Sequence, residues 1–224
     1  MQTFTFNDQL NLLSVLLGDD NTSTSDMFPI TIRKLMINRG EVRLAMDARD
    51  LRGYVTGTVT NYSIPIPDDF HQVFALVVNN RDVTRFETAL QDYERYLNSS
   101  DGRWYQWEQN NQQYLKFLGT AQENLSFNLW YFRVPLNVLD NLTDVSEHNI
   151  KHREASVYWA AQILMTQIGK TDLATQYLNM YQLLANDCLT DIKERYMNRP
   201  IPKVDTGDEQ GISTVDVEGK GFVY

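Results

Sequence analysis

Apolar and polar positions along this chain change their period several times, and the changes divide it into elements. Leu10, Leu13 and Leu17 recur at helical spacing, with Asn7 placed to cap the run and Gly18 to end it. Residues 19–26 are Asp, Asn, Thr and Ser only, which predicts a loop. Asp26 then stands shortly before Pro29, a residue favoured in a first helical turn. From there Ile32, Leu35, Met36, Val42 and Met46 predict a second amphipathic helix. Gly40 interrupts it, at a cost of roughly 1 kcal/mol against Ala.

Between Tyr54 and Ile66 the texture turns to β-branched and aromatic residues punctuated by Gly57 and Asn61, the pattern of a hairpin. Phe70 to Val78 reads as a further strand, and Phe86, Leu90, Tyr93 and Leu97 return to helical spacing over residues 84–97. Three aromatic-rich runs follow between Arg103 and Val134, joined by polar turns and closed by Pro135. They predict an antiparallel meander.

The longest periodic signal comes next. Ile150, Val157, Ala161, Leu164, Met165 and Ile168 form one stripe that stops at Gly169. Leu173, Tyr177, Tyr181, Leu184, Cys188, Ile192 and Tyr196 form another, opened by Thr171 or Asp172 as cap and ending before Pro200. Two such helices joined by a short turn pack as an antiparallel helix hairpin, with Leu184 and Ile192 expected in its core. The class expected is α+β, mainly α. One domain spans residues 1–199, with β insertions at about 52–79 and 103–134, and an extended tail spans residues 200–224.

That tail is polar, acidic and rich in Gly and Pro, so it is expected to be extended or disordered when alone. Yet it carries Ile212, Val215 and Val217, and it ends on Phe222, Val223 and Tyr224. Ser213-Thr214-Val215-Asp216-Val217 alternates like a strand and could add to a sheet edge of a partner. These six apolar residues are the candidate docking site.

Charge and composition narrow the function. A formal net charge of −9 repels a phosphate backbone, and no basic cluster offsets it, so guidance of DNA is expected rather than grip. The single cysteine, Cys188, excludes an internal disulfide and falls within an apolar stripe. Met1 to Phe6 lack a basic, then apolar, leader pattern, and no apolar run approaches ~20 residues. A soluble protein kept in a reducing compartment is expected.

Signatures of chemistry are sparse. No phosphate-binding glycine loop, nucleophile elbow or paired-cysteine motif occurs. His148 and His152, four apart beside Glu147, could share a face and bind a metal, but Asn149 stands where a zincin needs Glu. A solvated first helical turn is the expectation for them. Asp68 and Asp69 are adjacent, and adjacent carboxylates usually point apart, so a turn explains them better than acid–base catalysis. Trp104, Tyr105, Trp107, Trp130, Tyr131 and Phe132 could stack on a sugar, in a carbohydrate- or receptor-binding role, although meander alternation sends about half inward. No catalytic residue, metal or cofactor is assigned.

The order of these features resembles the phage head–tail connector, or adaptor, family. The resemblance rests on Tyr62-Ser63-Ile64-Pro65-Ile66-Pro67-Asp68-Asp69-Phe70, on Leu129-Trp130-Tyr131-Phe132-Arg133-Val134-Pro135, and on the closing helix pair with Tyr158-Trp159-Ala160-Ala161. It covers residues 6–199. It implies a non-enzymatic virion protein of the neck, present in the host cytoplasm during assembly. Copies would form a ring, twelvefold like the portal it meets, that extends the DNA channel and carries the tail proteins. The tail residues Ile212 to Tyr224 would then engage the portal or a neighbouring copy.

Overall fold

The computed structural model describes residues 3–18, 28–83, 85, 103–109, 112–118 and 122–197. Its helices are α1 (Phe6–Leu17), α2 (Ile30–Ala48), α3 (Glu154–Gln167) and α4 (Thr171–Met197). Its strands are β1 (Arg52–Thr58), β2 (Ser63–Pro65), β3 (Phe70–Val78), β4 (Arg81–Asp82), β5 (Trp104–Gln109), β6 (Gln112–Phe117) and β7 (Ser126–Arg133). The α+β class expected from the sequence is the class observed. The segment 86–97, expected as a helix, and the tail 200–224 lie outside the described residues.

Each helix end has a local cause. Thr5, rather than Asn7, caps α1: its hydroxyl accepts the Asp8 N–H while the Asp8 carboxylate accepts the Thr5 N–H at 2.7 Å. Gly18 ends the helix at φ 71°, in the left-handed region that suits glycine. Gly169 does the same between α3 and α4 at φ 75°, where its N–H reaches Thr166 O and the Lys170 N–H reaches Met165 O. That paired closure reverses the chain within a few residues and sets α4 antiparallel against α3.

The buried stripe of α2 is rotated from the one expected. Ile32 and Leu35 are exposed, and Val42 and Met46 are half-buried. Arg33, Met36, Ile37, Gly40, Glu41, Leu44, Ala45 and Ala48 face inward. The cause is the crossing with α3. A Cβ added to Gly40 would stand 2.3 Å from the Ser156 carbonyl oxygen, so the helices approach there closer than any side chain permits. Alanines line the neighbouring positions on both helices, Ala45 and Ala48 on α2, Ala155 and Ala160 on α3. Leu164, Met165 and Val157 then pack with Phe6, Leu10, Leu13 and Ile37 in the main helical core.

On α4, Tyr181, Ala185 and Cys188 are buried against Leu44 and Ala155, but Leu184 and Ile192 are only half-buried. The expectation of full burial for those two is corrected: the axis of contact runs through 181, 185 and 188, leaving them on its flank. Ile150 likewise precedes α3 and is 36% exposed.

The strands pair differently from a hairpin followed by a meander. β7 lies between β1 and β3 in a four-stranded sheet ordered β1-β7-β3-β4, and β2, β6 and β5 form a second sheet ordered β2-β6-β5. The Thr60–Ser63 turn does close tightly, with Asn61 and Tyr62 at φ 52° and 55°. Such values are unfavourable for tyrosine. The Glu123 carboxylate holds the turn by accepting the N–H groups of Asn61 (3.1 Å) and Tyr62 (2.7 Å). The flanking strands then diverge into different sheets. Val59, Ile64, Leu76, Leu115, Phe117, Phe127 and Leu129 fill the space between the two sheets. Short-range alternation reports which residues face a core, but it does not say which strand pairs with which.

Gly40→Ala tests the crossing. In an open helix this change stabilises by roughly 1 kcal/mol. Here it should destabilise and lower the thermal midpoint, while Leu164→Ala in the adjacent core should cost about 2–5 kcal/mol. Half-buried Leu184→Ala should cost clearly less than Leu164→Ala, read by denaturant unfolding.

Candidate functional site

Two features stand out: a buried polar junction among the helices, and an apolar ridge on the segment that connects β7 to α3. The junction centres on Glu41, only 3% exposed within α2. Gln9 of α1 donates to Glu41 Oε1 at 2.8 Å and lies 3.2 Å from the Ser156 hydroxyl of α3. The Ser146 hydroxyl donates to Glu41 Oε2 through a short hydrogen bond. His148, 1% exposed, places Nε2 2.9 Å from the Glu41 carbonyl oxygen and Nδ1 2.6 Å from Asp50 Oδ2.

Both ring nitrogens of His148 therefore face acceptors, which favours a proton on each. Burial pushes its pKa down, but the hydrogen bond and charge of Asp50, with the charge and carbonyl of Glu41, outweigh it. The net shift is upward. Arg153 completes the clasp, its Nε donating to the His148 carbonyl (2.9 Å) and its Nη1 to the Phe4 carbonyl (3.1 Å). The network thus joins α1, α2, the 146–153 segment and α3 around one buried carboxyl group.

The histidine pair is not a solvated helical turn. His152 is 5% exposed, stands ahead of α3, and turns Nε2 to Asp191 Oδ2 at 3.3 Å. Both histidines are interior struts, which corrects the expected solvated turn. Among the described residues no group of three His, Cys, Asp or Glu side chains is arranged to hold a metal. Cys188 is buried, as its apolar stripe predicts.

Asp68 and Asp69 do point apart. Asp68 is exposed, whereas Asp69 is buried and accepts the Tyr131 hydroxyl at 3.0 Å. Burial and that bond push the Tyr131 pKa up to about 12. The six aromatic residues of the possible sugar platform are divided between two sheets, Trp104, Tyr105 and Trp107 on β5, Trp130, Tyr131 and Phe132 on β7. Trp104, Tyr131 and Phe132 are buried. The structure does not bring them onto one face.

The ridge spans residues 134–146. Leu136, Val138 and Leu142 are each more than half exposed, and Val145 is 43% exposed. Their backbone is nonetheless firmly tied. Glu147 Oε1 accepts the N–H groups of Leu136 (2.8 Å) and Asn137 (3.0 Å), and its Oε2 meets Arg133 Nη2 at 2.7 Å. Asn38 of α2 bonds both the N–H and the carbonyl of Leu139. Asp144 Oδ2 accepts from Asp140 and Asn141. Apolar side chains on a loop fixed this way are presented at little ordering cost. Helical and strand periodicity could not reveal this ridge, because the segment has neither period.

The candidate docking residues Ile212, Val215, Val217, Phe222, Val223 and Tyr224 lie outside the described residues. Among the described residues no helix is long and apolar enough to cross a membrane.

A helical body braced by an internal polar clasp, joined to a two-sheet β unit and offering rigid apolar display rather than a reaction centre, has the makings of a structural adaptor. A family model described as SU10 adaptor protein matches residues 5–202, and the chain belongs to that family of phage head–tail adaptors. It is a structural component of the virion. None of the curated proteins matches the chain.

The raised pKa of His148 sets a pH dependence. A group whose folded-state pKa lies above its unfolded value, about 6.5, contributes stability fully present below that value and lost as pH rises through the folded pKa. His148→Gln should therefore destabilise more at pH 6 than at pH 9, measured as the difference from the parent protein in denaturant unfolding. An equal loss at both would show that the imidazole is neutral.

Proposed function

We propose that copies of this chain form a ring, twelvefold like the portal above it, at the junction of phage head and tail. The ring extends the DNA channel and gives the tail proteins their platform. Membership of the head–tail adaptor family is the observation that carries this reading. The braced helical body supports it, because a subunit that transmits load between two larger assemblies gains from interior polar ties that fix one geometry. The ridge at Leu136, Val138 and Leu142 supports it as a surface suited to another protein.

The channel role has an electrostatic argument. A net charge of −9 lets DNA slide past rather than adhere. A structural role without catalysis fits the family, and no cofactor is called for. The tail residues Ile212, Val215, Val217, Phe222, Val223 and Tyr224 are proposed to engage the portal or a neighbouring copy on docking. One tail binds weakly, since each large apolar side chain contributes roughly 1.5–3 kcal/mol against an ordering cost of about 1–2 kcal/mol per residue. Repetition around a ring converts weak contacts into firm attachment.

Truncation after Arg199 tests the reading. The shortened chain should keep its thermal midpoint while losing attachment to purified portal, read by negative-stain imaging and sedimentation. Undiminished docking by the truncated chain would remove the tail from the interface. Absence of any ring when the full chain is mixed with portal would overturn the ring itself.

A further inference from the structure

Among the described residues β1 is the terminal strand of its sheet, and no described strand pairs with its outer edge. It pairs with β7 in unbroken register from Arg52↔Phe132 to Thr58↔Ser126. The hydrogen bonds at its two ends show which way each residue turns. The Arg133 N–H donates to Leu51 O at 3.1 Å, and the Val59 N–H donates to Leu125 O at 2.9 Å. In an antiparallel pair the bonded residues alternate. Gly53, Val55 and Gly57 therefore bond to β7, while Tyr54 and Thr56 turn both N–H and C=O to the outside.

Natural sheets protect such an edge with lysine, proline, a bulge or a covering segment. β1 has none of the first three, and from Gly53 to Thr58 it carries no charge at all. Tyr54, Thr56, Gly57 and Thr58 are exposed, Tyr54 at 56%. The bulges of this sheet are in β3 instead. An unguarded edge of this length is a template for one more strand.

We infer that the β1 edge receives residues Ser213-Thr214-Val215-Asp216-Val217 from a second copy of this chain. The inference rests on the ring reading above and deepens it. The segment has the β-branched alternation of a strand, and its charges match the site: Asp216 and Glu218 are acidic, and Arg49 and Arg52 stand at the start of β1. The reach is sufficient. Asp191 and Ile192 of α4 line a small cavity with Asp50 and Leu51, so α4 delivers its C-terminal end close to β1. Beyond Met197, residues 198–212 extend to about 50 Å, enough to leave one subunit and cross to the next. A tail on one copy and an edge on the other form a head-to-tail contact, the kind that closes rings.

Residue-resolved amide hydrogen exchange on full-length chains provides the test. An isotope-labelled Val215→Pro chain has an open edge and a tail unable to pair. An unlabelled Thr56→Pro chain has an intact tail and a blocked edge, and the substitution spares β7 because the Thr56 N–H points outward. Mixed at high concentration, the labelled chain should show exchange at Tyr54 and Thr56 slowed about tenfold or more, with Val55 and Gly57 protected before and after. A Thr56→Ala chain, which keeps its N–H, should remain a competent acceptor. Protection in the parent protein but not in the mixture would mean that the tail pairs with its own β1, and would overturn the exchange between copies. Protection of the labelled chain alone that grows with concentration would mean that two β1 edges pair with each other, and would overturn it too. No protection in any sample, alongside portal docking that still needs the tail, would remove the edge as acceptor and leave the ring reading standing.

Discussion

A single buried carboxylate holds the helical half of this protein in one arrangement. Glu41 of α2 is bonded by Gln9 of α1 and by Ser146 and His148 of the segment ahead of α3, and Gln9 reaches on to Ser156 of α3. Burying an ionised group costs several kcal/mol unless its lone pairs are satisfied, so the arrangement is tolerable only when every donor is in place. An apolar core accepts many packings of similar energy, whereas a carboxylate that needs Gln9, Ser146 and the His148 imidazole accepts few. A buried group with such specific hydrogen-bond needs thereby selects one geometry more than it adds stability. The rotation of α2 turns Gly40 to Ser156 of α3 and Glu41 to Gln9 and Ser146 at the same time.

The β unit is organised by different means. Among the described residues its two sheets are separated by a core mainly of Ile, Leu, Val and Phe, with the Asp69–Tyr131 hydrogen bond buried beside it. Gly53 and Gly57 of β1 leave room for the Tyr131 and Phe127 rings, which lie so close that a Cβ on Gly53 would stand 2.1 Å from the Tyr131 ring. Aromatic rings covering glycines on an edge strand stabilise the strand from within while leaving its outer backbone uncovered. The helical half is thus tied internally through a buried polar junction, and the β half keeps hydrogen-bonding capacity at the outer edge of β1 among the described residues. An adaptor requires both qualities in one chain.

Much of the fold was legible because local signals agreed with the final state. The helix stops at Gly18 and Gly169, the strand from Phe70 to Val78 and the α3–α4 hairpin all rest on short-range rules that tertiary packing did not overrule. What was not legible had a common cause. The pairing of β7 with β1 and β3, the inward turn of Arg33 and Glu41, and the burial of His148 and His152 are set by contacts between residues distant in sequence. A charged residue on an apolar stripe looks like the edge of that stripe until its partner is known. The apolar spacing of α2 therefore pointed to Ile32 and Leu35, although Gly40, an interruption in that pattern, marked the true contact face. For function, the order of phrases around Tyr62 to Phe70 and Leu129 to Pro135 carried more information than any single residue, since none of them bears chemistry.

The placement of β7 at the middle of its sheet has a consequence for synthesis. The ribosome delivers β1 and β3 first; β3 can pair with the two-residue β4, but β1 has no partner in that sheet until β7 has emerged. During that interval β1 lacks its partner and β3 has only the short β4, so most of the hydrogen-bonding edge of both strands waits for β7. Sheet formation then requires closure over a long stretch of chain, a slow step because loop entropy is lost before any pairing is gained. The β unit is accordingly the part of the molecule most exposed to wrong partners in a crowded polysome, where identical chains emerge side by side. The order of strands along the chain thus makes β1 the last-satisfied edge of the sheet during synthesis.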